Sequence, residues 1–363
     1  MNSNFLIIGV TAAMLMAIQL PLMIKLFHKL ALLDEPDERK RHKKAIPAIG
    51  GLVIAMVWVE LFLFFEPVRQ FWINQAVIGI PLLLLCITGV WDDQKHLSSG
   101  KRFMVQILSG VYLVINGITI QDFGGILGIH ELPFWFDAIF TVVVVTGITN
   151  AFNLIDGIDG LAGGIAFANL IIFSLIAFLA GHFDLLAICL IWSATVLVFL
   201  FFNWSPAKVF MGDGGSLVFG FFFVGMGLKF RQDVVQMQGM DADISLAMLA
   251  ALFIVPVTDT LRVFAYRISQ GRSPYSADRN HLHHWIVRNQ VPHNMATLQI
   301  LILHTILLPV SNLLLFIGIP ALPVMLIQFG IVLGYTKFVQ AITNFNRWYL
   351  FIRRYERNKG MIS

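Results

Sequence analysis

Charge is what this sequence has least of. Charged residues make up 13% of its 363 positions and hydrophobic residues make up 58%, whereas soluble globular domains carry roughly 25% charged residues. A hydrocarbon core about 30 Å thick is crossed by about 20 apolar residues, and runs of that length recur from the N-terminal residues to about position 342. The composition therefore excludes an ordinary soluble domain and predicts an all-α polytopic membrane protein.

Cysteine is also scarce. Cys86 and Cys189 both lie inside apolar runs, where we expect small buried side chains and no framework disulfide. The first apolar run lacks a basic leading region and a small-residue cleavage site, so we expect a retained span. The net charge of +4 would suit nucleic acid, but in a membrane protein the placement of basic residues matters more than their sum. We expect no nucleic acid partner.

Apolar runs between polar breaks predict about eleven transmembrane helices. They lie near 4–26, 49–65, 73–90, 103–116, 132–148, 161–180, 185–202, 215–228, 244–266, 298–317 and 321–341, and the fourth and the eighth are short. This pattern leaves room for one transmembrane domain over 1–342, followed by a basic tail over 343–363. An odd number of spans places the two termini on opposite sides of the membrane.

The distribution of Lys and Arg orients the chain. One alternating set of loops holds nearly all of them, whereas the opposite set has only Arg69, Lys229 and Arg231. The positive-inside rule therefore predicts a periplasmic N-terminus and a cytoplasmic C-terminus. Every polar segment of unusual composition falls in the basic set, at 34–51, 91–102, 149–160, 203–216 and 267–294. We expect these five loops to form one polar site at the cytoplasmic surface.

Two of these loops are rich in aspartate. Asp92 and Asp93 are adjacent at the end of a span, where two like charges need a cation or water to compensate them; a solvated helix end is the alternative. Asp156 and Asp159 alternate with glycines, which let the backbone approach a ligand closely. Oxygen donors of this kind suit Mg²⁺, although single Asp-Gly pairs are also ordinary turn formers.

Another loop leads directly into an apolar segment. Gly214, Gly215 and Ser216 are predicted to form a helix N-terminus whose free N–H groups face an anion. Asp213, just before them, would hold a metal that bridges this anion. Phe210 would either stack on a base or belong to the interfacial aromatic belt.

The last loop contains three histidines, His281, His283 and His284, close to Arg279. They are open to interpretation as a zinc cluster, as an anion clamp, or as a surface cluster without a role. No CxxC or HExxH accompanies them to complete a zinc site, and charge-assisted hydrogen bonds to phosphate suit the neighbouring chemistry better.

The first basic loop and two acids inside the predicted spans are the remaining candidate functional residues. The segment around Arg39, Lys40 and His42 is typical of attraction to anionic lipid, and we assign it a share in phosphate binding. Asp259 precedes Arg262 by three residues, a spacing that fits an ion pair on one helix face as well as a catalytic role. Glu60 has no obvious partner in the sequence.

Taken together, these motifs resemble the polyprenyl-phosphate N-acetylhexosamine-1-phosphate transferase family, and most of all its bacterial branch that uses UDP-GlcNAc. They run along essentially the whole chain, as Asp34-x-Pro36-x-x-Arg39-Lys40-x-His42, Asp92-Asp93, Asn153-x-x-Asp156-Gly-x-Asp159-Gly, Phe210-Met-Gly-Asp213 and His281-x-His283-His284. The resemblance implies an eleven-helix catalytic domain in the bacterial inner membrane, open to the cytoplasm. It also implies a UDP-N-acetylhexosamine donor, undecaprenyl phosphate as acceptor and UMP as product.

The resemblance also implies roles for individual residues. Asp213 would bind Mg²⁺ (or Mn²⁺), Asp92 would deprotonate the lipid phosphate, and Asp93 would organise the site. Asp156 and Asp159 would count among the catalytic acids and would line the nucleotide pocket with Asn153 and Asn203, while Phe210 would stack on uracil. The residues implied to contact phosphate are Arg39, Lys40 and His42. Those implied to hold the sugar or the phosphates are Arg279, His281, His283 and His284. Whether the reaction is one displacement or passes through an aspartyl-phosphate stays open.

Three further expectations concern specificity and partners. The leucine between His281 and His283 favours the GlcNAc branch over the peptidoglycan branch, and the product would then prime a cell-surface polysaccharide such as O antigen. Membrane lipid is an expected partner, and homodimerisation is an open expectation. A secondary transporter of an anionic solute and a membrane scaffold are the competing interpretations; a transporter would place its functional groups near the midplane.

Overall fold

The computed structural model describes residues 3–32, 45–95, 97–237, 241–274 and 280–358. Within them the chain forms fourteen α-helices. They are α1 (Ser3–Lys29), α2 (Gly50–Phe64), α3 (Glu66–Asn74), α4 (Ala76–Lys95), α5 (Ser99–Ile115), α6 (Phe134–Leu154), α7 (Leu161–Leu179), α8 (Phe183–Asn203), α9 (Asp213–Gln236), α10 (Ala242–Ala251), α11 (Ile254–Ser269), α12 (Leu282–Arg288), α13 (His293–Phe316) and α14 (Ala321–Asn358). Ala48 and Phe210 form an isolated parallel β-bridge.

Eight of these helices are long and apolar enough to cross a membrane: α1, α4, α6, α7, α8, α9, α13 and α14. Two bent pairs raise the number to as many as ten, since α2 and α3 meet at 104° and α10 and α11 meet at 72°. The prediction of a polytopic all-α protein is therefore confirmed for the described residues. α5, with 17 residues, is the remaining candidate, and both the eleventh span and the orientation stay predictions.

The helix boundaries differ from the prediction at several places. The second predicted helix is followed by a separate short helix, α3, because Phe65 is extended and Pro67 lies in the first turn of α3, where proline is favoured. The ninth predicted helix is interrupted between Ala251 and Ile254, and the side-chain amide of Asn169 donates to the carbonyl of Leu252 there at 3.0 Å. This hydrogen bond satisfies a backbone group that the break leaves without a helical partner.

Two other helices are longer than predicted. α9 continues through Arg231, whose side chain is 2% exposed and donates to the carbonyl of Ile120 at 2.7 Å and to the carboxylate of Asp122 at 2.7 Å. The charge of Arg231 therefore does not end the helix, because the loop after α5 supplies hydrogen-bond partners for the Arg231 side chain. α14 runs without interruption past position 342 to Asn358, so the predicted tail begins inside a helix.

α9 lies at the centre of the bundle, and residues 214–228 are all buried. Its N-terminal end packs against α2 and α4 through glycines. A Cβ added to Gly89 of α4 would lie 2.5 Å from the backbone of Asp213 and Gly214, and a Cβ on Gly51 of α2 would collide with the backbone of Gly215. Because only hydrogen occupies these positions, the ends of α4 and α9 come into contact, which brings the two aspartate motifs together.

The two acids inside the spans both have partners. Glu60, which lacked an obvious one in the sequence, accepts hydrogen bonds from Nε2 of Gln19 at 2.8 Å and 2.7 Å. The helix pairing of α1 with α2 supplies this contact, and no local spacing reveals it. Asp259 and Arg262 form the ion pair that their spacing allowed, at 2.7 Å.

Candidate active site

The N-terminus of α9 is bound by an aspartate of α4. The backbone N–H of Asp213 donates to Oδ1 of Asp93 at 2.8 Å, and the N–H of Gly214 donates to Oδ2 at 3.1 Å. The predicted helix N-terminus is therefore present, but the anion that its first N–H groups meet is the carboxylate of Asp93. Negative charge at this end of a helix is favourable, so Asp93 fixes the end of α4 against the start of α9.

Arg102 joins the two other carboxylates of this region. Its Nη1 lies 2.8 Å from Oδ2 of Asp92 and also contacts Oδ2 of Asp213. The backbone N–H of Leu97 donates to the second oxygen of Asp92. Arg102 was predicted only as part of the basic loop; a basic residue ten positions after Asp92 in the same loop was the available signal. The guanidinium compensates charge that two clustered carboxylates would otherwise leave unbalanced.

Asn153 belongs to the same cluster. It lies in the last turn of α6, and its amide donates to Oδ1 of Asp213 at 2.8 Å and to the hydroxyl of Ser216 at 2.9 Å. Asp213 therefore receives hydrogen bonds from both α5 and α6. The ends of two other helices therefore converge on this one carboxylate and fix its orientation.

The loop at 155–160 places its two aspartates in different surroundings. Burial and the negative charge of Asp213 raise the pKa of Asp156 to about 7. Burial also acts on Asp159, but the nearby His293, with Nδ1 3.6 Å from Oδ1 of Asp159, and a hydrogen bond from the N–H of Ala207 outweigh it and lower the pKa of Asp159. Asp156 thus responds to the carboxylate cluster, whereas Asp159 ties its loop to the start of α13 and to the loop after α8.

Asn203 and Phe210 have backbone contacts that were not predicted. Asn203 is 3% exposed; its Oδ1 accepts the N–H of Gly160 at 3.1 Å, and its Nδ2 donates to the carbonyl of Val209 at 2.9 Å. Phe210 donates its N–H to the carbonyl of Pro47 at 3.0 Å, and its carbonyl accepts the N–H of Gly50 at 2.9 Å. Both residues therefore hold loops together, in addition to any contact with a ligand.

The histidines lie beside the aspartate loop. His281 directly precedes α12, and its ring is nearly parallel to that of His283, with ring centroids 5.8 Å apart. The ring centroids of His283 and His284 are 4.2 Å apart. A Cβ added to Gly157 would collide with the imidazole of His283, so the loop needs a glycine to approach the histidine so closely.

Some predicted residues are not placed. Arg39, Lys40, His42 and Arg279 lie outside the described residues. Within the described part of the chain, no group of three or more His, Cys, Asp or Glu side chains is arranged to hold a metal ion. The zinc interpretation of the histidines therefore has no support in the described geometry. A metal that takes few protein ligands, such as Mg²⁺, is still compatible with it.

The described helices form a membrane-spanning bundle with an aspartate cluster at one end. Comparison with known proteins then gives the family of the chain. Residues 75–231 match the family described as Glycosyl transferase family 4. This segment contains Asp92, Asp93, Arg102, Asn153 and Asp213, the residues that converge in the structure.

Individual relatives give a narrower family. The chain is 31% identical over 269 residues to the undecaprenyl-phosphate alpha-N-acetylglucosaminyl 1-phosphate transferase of Yersinia pestis, which covers 72% of this chain and 70% of the relative. It is 30% identical over 273 residues to the protein of the same name from Escherichia coli (strain K12), with 73% and 71% covered. A "Probable undecaprenyl-phosphate N-acetylglucosaminyl 1-phosphate transferase" of Bacillus subtilis (strain 168) is 29% identical over 291 residues, with 77% and 76% covered.

The chain therefore belongs to the undecaprenyl-phosphate N-acetylglucosaminyl 1-phosphate transferase family. The resemblance drawn from the motifs is confirmed. These comparisons give no support to the transporter and scaffold interpretations.

Proposed function

We propose that this protein transfers GlcNAc-1-phosphate from UDP-GlcNAc to undecaprenyl phosphate and releases UMP. The observation that carries the proposal is the convergence of Asp92, Asp93 and Asp213 with Arg102 and Asn153 at the ends of four helices, in a chain of this family. The proposed setting is the bacterial inner membrane, with the site facing the cytoplasm. The product would be the first lipid intermediate of a cell-surface polysaccharide such as O antigen; homodimerisation stays a prediction.

The residues of the cluster fit a magnesium ion. Burial and the negative charge of Asp213 raise the pKa of Asp156, and this end of the bundle carries several carboxylates whose charge a cation would compensate. Mg²⁺ is commonly held by one or two carboxylates together with water and substrate phosphates, and Asp213 would provide a carboxylate. When bound, the ion would neutralise charge on the diphosphate and orient the reacting phosphate.

The protein's own groups would perform the remaining tasks. Asp92 would accept the proton of the lipid phosphate, whose oxygen forms a bond to the sugar-bearing phosphorus as the bond from that phosphorus to the UMP oxygen breaks. Arg102 would keep Asp92 beside Asp213, and Asn153 would hold the Asp213 carboxylate in place. Phosphoryl transfer depends mostly on position and charge stabilisation, which rigid helix ends can provide.

A direct test uses the purified full chain with UDP-GlcNAc, undecaprenyl phosphate and Mg²⁺. We expect release of UMP together with a lipid-linked GlcNAc diphosphate. Asp213→Asn and Arg102→Met should each lower the rate by at least about tenfold, because a charged hydrogen bond worth about 1.5–3 kcal/mol is lost in each. Lys101→Met is the matched control, since Lys101 is the exposed neighbour of Arg102 and should leave the rate unchanged.

Two results would contradict the proposal. The first is the absence of UMP with every UDP-N-acetylhexosamine offered. The second is an equal loss of rate in Arg102→Met and Lys101→Met, which would mean that the ion pairs of Arg102 have no part in the reaction. A panel of donors in the same assay also identifies the sugar.

A further inference from the structure

One buried aspartate ties the histidine loop to the bent helix pair. Asp259 lies on α11 and is 2% exposed. Its Oδ2 lies 2.9 Å from Nδ1 of His281, and its Oδ1 accepts the N–H of Leu282 at 3.0 Å and Nη2 of Arg262 at 2.7 Å. Arg262 also donates to the carbonyl of Asn280. Asp259 and Arg262 together therefore hold the backbone on both sides of His281.

We propose that Asp259 is a positioning residue that fixes the tautomer and the ring orientation of His281. An ionised carboxylate can only accept hydrogen bonds, and Arg262 supplies the positive charge that keeps Asp259 ionised when buried. Nδ1 of His281 must then carry the hydrogen. Nε2 is left as the ring atom that accepts or donates toward a ligand.

His281 lies close to the aspartate loop of the candidate active site. It stacks on His283, and His283 lies against Gly157 in the loop that carries Asp156. α11 also packs against α6, whose last turn provides Asn153 to the aspartate cluster. Asp259 is 2% exposed and contacts His281, so we expect it to act on the reaction through His281. The inference rests on the proposed function to the extent that His281 contacts the substrate.

Asp259 also has a purely structural task, from which the positioning role must be separated. α12 has no side-chain cap at its own N-terminus, and Oδ1 of Asp259 accepts the N–H of Leu282, its first residue. Asp259→Asn keeps the size of the side chain and can keep a carbonyl oxygen for this N–H. Its amide would then donate toward Nδ1 of His281, which moves the ring hydrogen to Nε2. The substitution therefore preserves the cap and reverses the tautomer.

The decisive measurement is ¹⁵N NMR of the full chain with labelled histidine, in which His281→Gln identifies the signal of His281. We expect hydrogen on Nδ1 in the wild type and on Nε2 in Asp259→Asn. In the UMP assay kcat of Asp259→Asn should fall on the order of 10–100-fold, by analogy with the loss found when the group that orients a metal-ligating histidine is replaced. KM for UDP-GlcNAc should change less than kcat, since the substrate-binding atoms are retained.

Asp137→Asn is the matched control. Asp137 is another buried aspartate, 6% exposed, whose Oδ1 accepts the N–H of Gln121 at 2.9 Å and the hydroxyl of Thr141 at 3.2 Å. It holds the loop between α5 and α6, away from the histidines. We expect a comparable loss of thermal stability in both variants, and a fall in kcat only in Asp259→Asn.

Several outcomes would overturn the proposal: hydrogen on Nε2 in the wild type, an unchanged kcat in Asp259→Asn, or a fall in kcat that Asp137→Asn reproduces. If Asp259→Asn fails to fold, the tautomer of His281 in the wild type still tests the proposal, because hydrogen on Nε2 would contradict it. Failure of the proposed function is recognised separately, because the wild type would then release no UMP while the tautomer of His281 remains measurable.

Discussion

At the scale of single residues, the candidate active site is organised by charge compensation. Arg102 contacts both Asp92 and Asp213, and the first N–H groups of α9 compensate Asp93. Burial and the negative charge of Asp213 raise the pKa of Asp156 to about 7. We therefore expect its ionisation to change near neutral pH.

The raised pKa of Asp156 predicts a pH dependence. Below about pH 7 the carboxyl is neutral and adds no charge to the cluster, whereas above this pH it is ionised and favours a cation beside Asp213. At limiting Mg²⁺, kcat/KM should therefore rise between about pH 6 and pH 8. More Mg²⁺ should move this rise to lower pH, because a bound cation stabilises the carboxylate.

The rise should be measured in the wild type and in Asp156→Asn. Because the phosphates of the substrates also titrate, only the part of the profile that Asp156→Asn removes is attributed to Asp156. A profile that is identical in both proteins would contradict the assignment.

At the scale of secondary-structure elements, the site depends on how closely α4 approaches α9. Gly89→Ala would place a Cβ 2.5 Å from the backbone of Asp213 and Gly214, and backbone cannot move aside as a flexible side chain can. Overpacking of this kind costs about 1–3 kcal/mol. We expect a lower thermal midpoint and a loss of UMP release, since Asp93 would separate from the N-terminus of α9.

Gly147→Ala is the control for this substitution. Gly147 lies in α6, and a Cβ added there would have no atom within 4 Å. The change should keep activity and should not lower stability, because alanine favours a helix more than glycine does. A Gly89→Ala protein as stable and active as Gly147→Ala would show that the two helices do not need this contact.

The elements also show which features can be predicted from sequence. Asp92, Asp93 and Asp213 were found because unusual polar composition between apolar runs is a local signal. Asp259 and His281 are separated by 22 positions, and Gln19 and Glu60 by 41; such pairs depend on helix packing, which no local spacing encodes. The break after Ala251 was missed for the same reason, since Asn169 of α7 completes the hydrogen bonding there.

At the scale of the whole molecule, the orientation in the membrane and the eleventh span depend on α5. This helix has 17 residues, which is short for a hydrocarbon core that takes about 20. Lys101 lies in the first turn of α5, at the end with the basic residues. Leu127, which is 78% exposed, lies in the loop that follows α5. If α5 crosses the bilayer in the direction that the positive-inside rule requires, these two positions lie on opposite sides.

Cysteine labelling tests this arrangement in one experiment. In a background with Cys86→Ser and Cys189→Ser, we expect an impermeant maleimide to label Leu127→Cys in intact cells and Lys101→Cys only after the membrane is opened. Reaction of both positions from the same side would mean that α5 does not cross, which would leave at most ten spans. Reaction of Lys101→Cys alone in intact cells would place the aspartate cluster in the periplasm, where a cytoplasmic UDP-sugar cannot reach it. The labelling pattern therefore tests the topology and the access of the donor together.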